Sequence, residues 1–117
     1  MRVKRGFKAK RRRATIMNAA KGNFQSRSRT YRVAKETVER GWAYAFAHRK
    51  LKKREFRKLW ITRINAAVRE RGLTYSTFIN MLNTAKIDID RKVLAFLAME
   101  DPKAFDKVIE EARSVNG

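Results

Sequence analysis

The spacing of apolar residues along the chain predicts a helical protein. Residues 42–71 contain neither glycine nor proline, and in their later part apolar residues recur every three or four positions, as on one helix face. The apolar positions of this face are Phe56, Leu59, Trp60, Ile64, Ala67 and Val68. No segment shows the alternation of apolar and polar residues that is typical of a strand. The pattern therefore predicts an all-α fold, in which a long N-terminal arm and helix lead into a small C-terminal helical bundle.

The C-terminal part of the chain predicts three short helices. Thr74 and Asp90 stand where N-caps are expected, and Asp101 precedes Pro102, a residue that fits the first position of a helix. The core predicted from these helices and the end of the long helix contains Phe56, Trp60, Phe78, Ile79, Leu82, Val93, Leu94, Leu97, Phe105, Val108, Ile109 and Ala112.

The N-terminal part predicts an arm followed by a long helix. Residues 1–24 form the arm, in which residues 9–20 can form a short helix whose apolar side is too thin to fold alone. We therefore expect the arm to be disordered when free and ordered on a partner. The next helix can be capped by Ser26 or Ser28, and Gly41 marks a candidate bend in it.

The positive charge is confined to the first half of the chain. Residues 1–63 contain 22 Lys and Arg against three acids, whereas residues 64–117 contain eight of each, so the net charge of +19 belongs to the first part. A helix over residues 48–60 places cations one turn apart, Lys50 and Arg54 for example, and each such pair costs roughly 0.2–0.5 kcal/mol. Charge of this density opposes compaction unless a partner supplies negative charge. This favours a polyanionic partner over a solvated basic face that serves only solubility.

The residue types present exclude most kinds of active site. The sequence has no cysteine, a single histidine (His48) and no glycine-rich phosphate-binding loop, and most of its aspartates stand at helix starts, where they act as caps. We therefore expect no enzymatic activity, no catalytic or metal-binding residue and no cofactor. No apolar run approaches the roughly 20 residues that span a bilayer, and no secretory signal is present, so we expect no membrane association and a location inside a cell or organelle.

Aromatic residues are interleaved with the cations, a pattern that is typical of nucleic-acid binding. The rings are those of Tyr31, Trp42, Tyr44 and Phe46. Flat rings among cations suit the stacking of unpaired bases in irregular RNA. For Trp42 and Phe46, packing between the helix and its own arm is an equally good alternative. The C-terminal helices could also form a helix-turn-helix, so the alternative function is a nucleoid-type or regulatory DNA-binding protein. Because the charge lies on the extension rather than on those helices, the sequence favours RNA.

The order of several motifs resembles a known family. The motifs are RVKRG (2–6), AKG (20–22), RSR (27–29), RVAK (32–35), KKREFRKLWITRINAAVRERGLTYSTFIN (52–80) and DRKVLAFLA (90–98). Together they make the chain similar, over essentially its full length, to the bacterial large-subunit ribosomal protein family numbered twenty in that subunit's naming series. The resemblance implies a structural ribonucleoprotein component, active in translation, that binds large-subunit ribosomal RNA and promotes early subunit assembly. In some bacteria, members of the family also bind their own messenger RNA and restrain their synthesis.

The resemblance also implies partners, domains and a location. The partners are large-subunit ribosomal RNA, neighbouring large-subunit ribosomal proteins and the protein's own messenger RNA, and no homo-oligomer is expected. Residues 1–55 are predicted to form a basic RNA-penetrating extension, with a short arm helix and then a long helix with a candidate bend near Gly41. Residues 56–117 are predicted to form a compact helical RNA-binding domain. We expect the ribosome to be that of a bacterial cytoplasm, with an organellar ribosome as the alternative.

The predicted RNA-binding residues are mostly cations of the extension. Those that the family motifs imply are Arg2, Lys4, Arg5, Lys21, Arg27, Arg29, Arg32, Lys35, Arg49, Lys53, Arg54, Arg57, Arg63, Arg91 and Lys92. The pattern of charges and rings adds Lys8, Lys10, Arg11, Arg12, Arg13, Tyr31, Lys50 and Lys58. The sequence also departs from the family's usual pattern: Ala47 and His48 replace a charged pair, Gln25 replaces a glycine, and residues 81–86 replace a more basic, glycine-containing stretch.

Overall fold

The structure, a computed structural model, describes residues 6–116 and contains only helices there. In chain order these are α1 (Lys8–Ala19), α2 (Ser26–Arg29), α3 (Tyr31–Glu70), α4 (Tyr75–Thr84), α5 (Arg91–Glu100) and α6 (Pro102–Asn116). The predicted all-α fold, with a long helix that leads into a small helical bundle, is therefore confirmed. Three predicted RNA-binding residues, Arg2, Lys4 and Arg5, lie outside the described residues.

The chain divides into two compact units inside α3. The first unit ends at Lys50 and the second begins at Leu51, while the predicted domain boundary after residue 55 lies in the same helix. Gly41 also lies inside α3, which is helical at every residue from Tyr31 to Glu70. One helix thus belongs to both units, and its surroundings differ between them.

The second unit is built around a core of large apolar side chains. The largest fully buried side chains come from all four of its helices, namely Ile64 and Val68 of α3, Phe78 of α4, Leu94 of α5 and Phe105 of α6. The rings of Phe78 and Phe105 pack with their centroids 5.6 Å apart and their planes tilted by 56°. Burial of this apolar surface is the main force that holds the bundle together.

The three residues predicted as caps stand at the starts of the bundle helices, and two of them make side-chain cap hydrogen bonds. The hydroxyl of Thr74 accepts a hydrogen bond from the backbone N–H of Thr77 over 3.3 Å, at the start of α4. A carboxylate oxygen of Asp101 accepts one from the N–H of Ala104 over 3.0 Å, at the start of α6. Asp90 stands at the N-cap of α5 but makes no hydrogen bond of this kind. Each side-chain cap contributes about 1 kcal/mol to helix stability.

In the first unit, the prediction of which residue caps the helix after the arm was wrong. The N-cap of α2 is Gln25 rather than Ser26 or Ser28, and it makes no side-chain cap hydrogen bond. Gln25 has a φ of +49°, a backbone conformation in which a residue with a side chain is strained. A glycine would adopt this conformation without that strain, in line with the glycine that the resemblance led us to expect at this position.

Two side chains of the predicted core, and a third from the apolar face of the long helix, are exposed instead. Phe56, Leu59 and Val93 are 45%, 41% and 46% exposed. On α3, contact with the core begins only at Trp60, so the apolar spacing continues past the point that α4 to α6 cover. On α5, the buried side chains include the small Ala95 next to Leu94, and this turns Val93 away from the core.

The arm forms the short helix that was predicted, and this helix packs on the beginning of α3. Ile16 and Ala20 are buried against Ala34 and Val38, with Met17 and Tyr31 partly buried around them. The guanidinium of Arg13 lies over the ring of Tyr31, 5.5 Å from its centroid. Such a small apolar contact is weak by comparison with the core of the bundle, so the disorder of the free arm stays a prediction.

Helices α3 and α4 end in the same way, with one residue in the left-handed backbone conformation. After α3 this residue is Gly72, with a φ of +74°, and after α4 it is Lys86, with a φ of +55°. In each case the N–H of the next residue donates to the carbonyl five residues earlier, over 2.9 Å after α3 and 3.0 Å after α4. Glycine is preferred at this position, because a Cβ there crowds the following carbonyl oxygen.

Replacing Lys86 with glycine is therefore expected to stabilise the bundle. We expect the free energy of unfolding to rise by about 0.5–1 kcal/mol. Glycine removes the strain of the left-handed conformation in the folded protein, but its greater freedom in the unfolded chain cancels part of this gain. Urea unfolding followed by the fluorescence of Trp60, in a Trp42→Phe background, measures the change. The matched control is Gly72→Ala, which should lose about 1 kcal/mol. A Lys86→Gly protein less stable than its parent would contradict the comparison of the two helix ends.

Candidate nucleic-acid interface

The middle of α3 is exposed on all its sides. Every residue from 39 to 59 is exposed to solvent, over nearly six turns of helix. The rings of Trp42, Tyr44 and Phe46 are 53%, 58% and 64% exposed. More than half of the surface of Trp42 and of Phe46 is therefore left uncovered by the described part of the arm. A helix without a covered face needs a partner other than a protein core to hold it.

The cations of this exposed stretch form two neighbouring rows with one-turn spacing. One row contains Arg49, Lys53 and Arg57, and the other contains Lys50, Arg54 and Lys58. Because consecutive residues of a helix are about 100° apart, the two rows lie side by side. The side chains of both rows therefore reach into the same solvent region, where the spacing of about 5–6 Å between turns is close to that of successive phosphates along a nucleic-acid strand.

The protein supplies few negative groups to this stretch. Between residues 40 and 69 the one acid is Glu55, which pairs with Lys58 over 2.9 Å, and both side chains are largely exposed. An ion pair of this kind contributes roughly 0.3–0.5 kcal/mol. Two further cations lie over rings of α3, Lys50 over Phe46 at 5.7 Å and Lys52 over Phe56 at 6.0 Å. These contacts orient side chains, but they leave most of the positive charge of the stretch in place.

The arm and the beginning of α3 add a second group of exposed cations. The predicted site residues found exposed there are Lys8, Lys10, Arg11, Arg12, Arg13, Lys21, Arg27, Arg29, Arg32 and Lys35. Lys35 also lies 3.8 Å from Glu39 across one helical turn. Tyr31, which was predicted to face RNA, is partly buried against α1 and carries Arg13 on its ring, so it has a packing role in the first unit.

Several cations of the bundle hold the fold. Arg71 pairs with Asp106 of α6, donates to the carbonyl of Ala67 over 2.8 Å and lies over the ring of Phe105. Sequence reasoning missed this role, since no local pattern links residues 71 and 106. Arg91, a predicted RNA-binding residue, donates from its Nε to the hydroxyl of Tyr75 over 2.8 Å.

Two predicted RNA-binding cations of the bundle, Arg63 and Lys92, are exposed. Of the bundle's predicted site residues, Arg63 and Lys92 thus remain the candidates for outside contact, while Arg91 is already engaged within the bundle.

The first unit also contains a groove that sequence reasoning missed. Its volume is about 400 Å³, and it is lined by Arg27, Val33, Glu36, Thr37, Arg40, Gly41 and Tyr44. Glu36 and Arg40 were not among the predicted site residues. The sequence did contain a signal for this groove, namely an acidic residue in a segment with very few acids. A carboxylate repels phosphates, so a surface that bound phosphates alone would be expected to lack one.

The described residues offer no place for a metal ion or a membrane span. Within residues 6–116, no group of three or more His, Asp or Glu side chains is arranged to hold a metal ion. In the same part of the chain, no helix combines the length and the apolar character needed to cross a membrane. The chemistry that the exposed surface of residues 6–116 offers is therefore that of cations, aromatic rings and the groove beside α2.

Comparison with known proteins identifies the family. A sequence model of the family described as Ribosomal protein L20 matches residues 2–108. Proteins named large ribosomal subunit protein bL20 are similar over nearly their whole length: those of Pelobacter propionicus and Geobacter sulfurreducens are each 55% identical over 113 residues, which is 97% of both chains. That of Methylorubrum extorquens is 52% identical over 97% of this chain and 93% of its own.

These relatives decide between the two functions that the sequence left open. They are ribosomal proteins, which are not enzymes, so the prediction that the chain is not an enzyme is confirmed. The alternative of a nucleoid-type or regulatory DNA-binding protein is not favoured by any of these matches. The match covers both the basic extension and most of the bundle, and the chain therefore belongs to the ribosomal protein L20 family.

Proposed function

We propose that the chain is a structural protein of the large ribosomal subunit that binds large-subunit ribosomal RNA directly. The observation that carries this proposal is the middle of α3, where residues 39–59 are exposed at every position and present two adjacent rows of cations. Phosphates on either side of the helix would supply the negative charge that the protein lacks there. The names of the relatives, large ribosomal subunit proteins, agree with this partner.

The two parts of the chain would contribute differently to RNA binding. Residues 1–55 act as the RNA-penetrating extension, since the cations of residues 6–55 are exposed and the apolar contacts of this described part are few. Residues 56–117 act as a compact domain that folds on its own core and offers Arg57, Lys58, Arg63 and Lys92 to RNA. RNA affinity should accordingly reside mainly in the extension, and stability mainly in the bundle.

We propose that the protein acts early in subunit assembly. An extension surrounded by RNA has to enter before the RNA closes around it, and its own apolar contacts are too few to fix its course beforehand. Binding would then order the protein and a local RNA fold together. Neighbouring large-subunit proteins would complete the surroundings of the chain, which acts as a single copy within a ribosome of the bacterial cytoplasm.

The resemblance to the family supports one finer proposal, which is control of the protein's own synthesis. The compact domain would bind the protein's messenger RNA through exposed cations such as Lys92. Binding of the messenger by residues 56–117 alone, in competition with the ribosomal transcript, is the test of this part.

The main test is recovery with large subunits from bacteria that express a tagged form of the chain. We expect the protein to sediment with large subunits and to remain there through a high-salt wash, because enclosed contacts resist screening better than exposed ones. A competition between a large-subunit RNA transcript and duplex DNA accompanies it. Release into the wash, or a preference for the duplex, would contradict the proposal and revive the DNA-binding alternative.

A further inference from the structure

We propose that the groove between α2 and the first half of α3 binds one unstacked guanine of the RNA, an inference that rests on the function proposed above. The side chains that line the groove include a ring (Tyr44), a carboxylate (Glu36) and two guanidinium groups (Arg27 and Arg40). Its volume of about 400 Å³ lies in the range of sites that hold small molecules, so a single nucleotide fits within it. All of the lining residues belong to the first unit.

Tyr44 provides the surface on which a base can stack. Its ring is exposed by more than half and lies beside that of His48, with a centroid distance of 5.5 Å and an angle of 34° between the planes. The neighbouring ring limits the orientations that Tyr44 adopts. Gly41 lies about one turn before Tyr44 and leaves open space, because a Cβ there would meet nothing within 4 Å. Stacking of one base on an aromatic side chain changes affinity by roughly 5- to 150-fold when the ring is removed.

Glu36 is the group that distinguishes this groove from a general phosphate site. The first 63 residues contain three acids, of which Glu39 pairs with Lys35 and Glu55 pairs with Lys58. Glu36 lines the groove and has no ion-pair partner within residues 6–116. A carboxylate repels phosphate, so its place in an RNA-facing groove is accounted for by a hydrogen-bond donor of a base.

Guanine is the base whose donors match a carboxylate best. An ionised carboxylate only accepts hydrogen bonds, and its two oxygens can accept two parallel ones. The Watson–Crick edge of guanine carries two adjacent donors, N1–H and the N2 amino group, whereas the other three bases place an acceptor next to each donor on that edge. Arg27 and Arg40, both exposed, would hold the phosphates on either side of the base and offset the charge of Glu36.

The test compares labelled single-stranded pentanucleotides that differ only in the central base, UUGUU, UUUUU, UUAUU and UUCUU, in anisotropy titrations with the full chain. We expect UUGUU to bind about tenfold more tightly than UUUUU, which is within the range of one two-point base contact. Glu36→Gln should reduce this difference to about twofold, since an amide offers one acceptor and a donor that faces the N1–H or N2 group. Tyr44→Phe should retain the preference for UUGUU over UUUUU, and Tyr44→Ala should weaken this preference.

Trp42→Ala is the matched control, because Trp42 is similarly exposed two residues away and does not line the groove. It should change the affinity for all four oligonucleotides by the same factor and leave the preference for guanine intact. Equal binding of the four oligonucleotides by the unmodified chain would overturn the inference, as would a preference that survives both Glu36→Gln and Tyr44→Ala. Neither result would affect the proposed function, which is tested separately by recovery with large subunits and by the competition between the ribosomal transcript and duplex DNA.

Discussion

Replacing Arg54 and Arg57 together with Glu is expected to weaken binding to a large-subunit ribosomal RNA transcript by more than tenfold at about 0.15 M salt. The two side chains belong to adjacent rows on the exposed part of α3, and the double change removes two cations and introduces two anions in their place. Each lost phosphate contact also lowers the slope of log affinity against log salt concentration by roughly 0.7–0.9. Filter binding at several salt concentrations measures both effects.

The matched control for this experiment carries the same change of charge on the bundle. Lys103 and Lys107 are exposed on α6 and are not among the predicted RNA-binding residues, so Lys103→Glu with Lys107→Glu alters the net charge equally. We expect this control to lose much less affinity than the variant on α3. Equal losses would mean that the total charge, rather than the two rows, decides RNA binding. The bundle should remain folded in both variants, since all four side chains are exposed.

The second large effect concerns the core of the bundle. Phe105→Ala is expected to destabilise it by about 3–5 kcal/mol, because the ring is fully buried and packs against Phe78, and the change leaves a cavity. It also removes the ring over which Arg71 lies. Domains of this size are typically stable by about 5–15 kcal/mol, so the variant would lie near the limit of folding. Urea unfolding followed by Trp60 fluorescence, in the Trp42→Phe background, measures the loss.

Phe96→Ala is the control for this core substitution. Phe96 belongs to α5 of the same bundle but is 61% exposed, so its replacement should change stability by no more than about 0.5 kcal/mol. A similar loss of stability in Phe96→Ala and Phe105→Ala would contradict the assignment of Phe105 to the buried core and of Phe96 to the surface. In both variants the cations of α1 to α3 are untouched, and the RNA affinity of the extension should persist.

The sequence predicted the elements of the fold better than their contacts. Helical spacing and caps located the three bundle helices, because periodicity and capping are local properties of the chain. They did not reveal where the bundle stops covering α3, and so Phe56, which is exposed, was assigned to the core. Which side of a helix is buried depends on the helices that pack on it, and a regular spacing of apolar residues does not contain that information.

The same limit applies to the candidate site. The excess of cations over residues 1–63 predicted a polyanionic partner, since charge is additive and can be read from composition. The groove depends on how α2 places Arg27 beside Glu36 and Tyr44, and that arrangement follows from the turn before α3. The pairing of Arg71 with Asp106 likewise joins residues 35 positions apart, and no local pattern in the sequence predicts it.

The most direct measurement is a cryo-electron microscopy structure of large subunits assembled with this chain. We expect the exposed stretch of α3 to be surrounded by ribosomal RNA, with the guanidinium groups of Arg54 and Arg57 within hydrogen-bond distance of phosphate oxygens, about 2.7–2.9 Å. An exposed stretch that faces solvent, or that is covered by other proteins while the two rows of cations touch no phosphate, would contradict it.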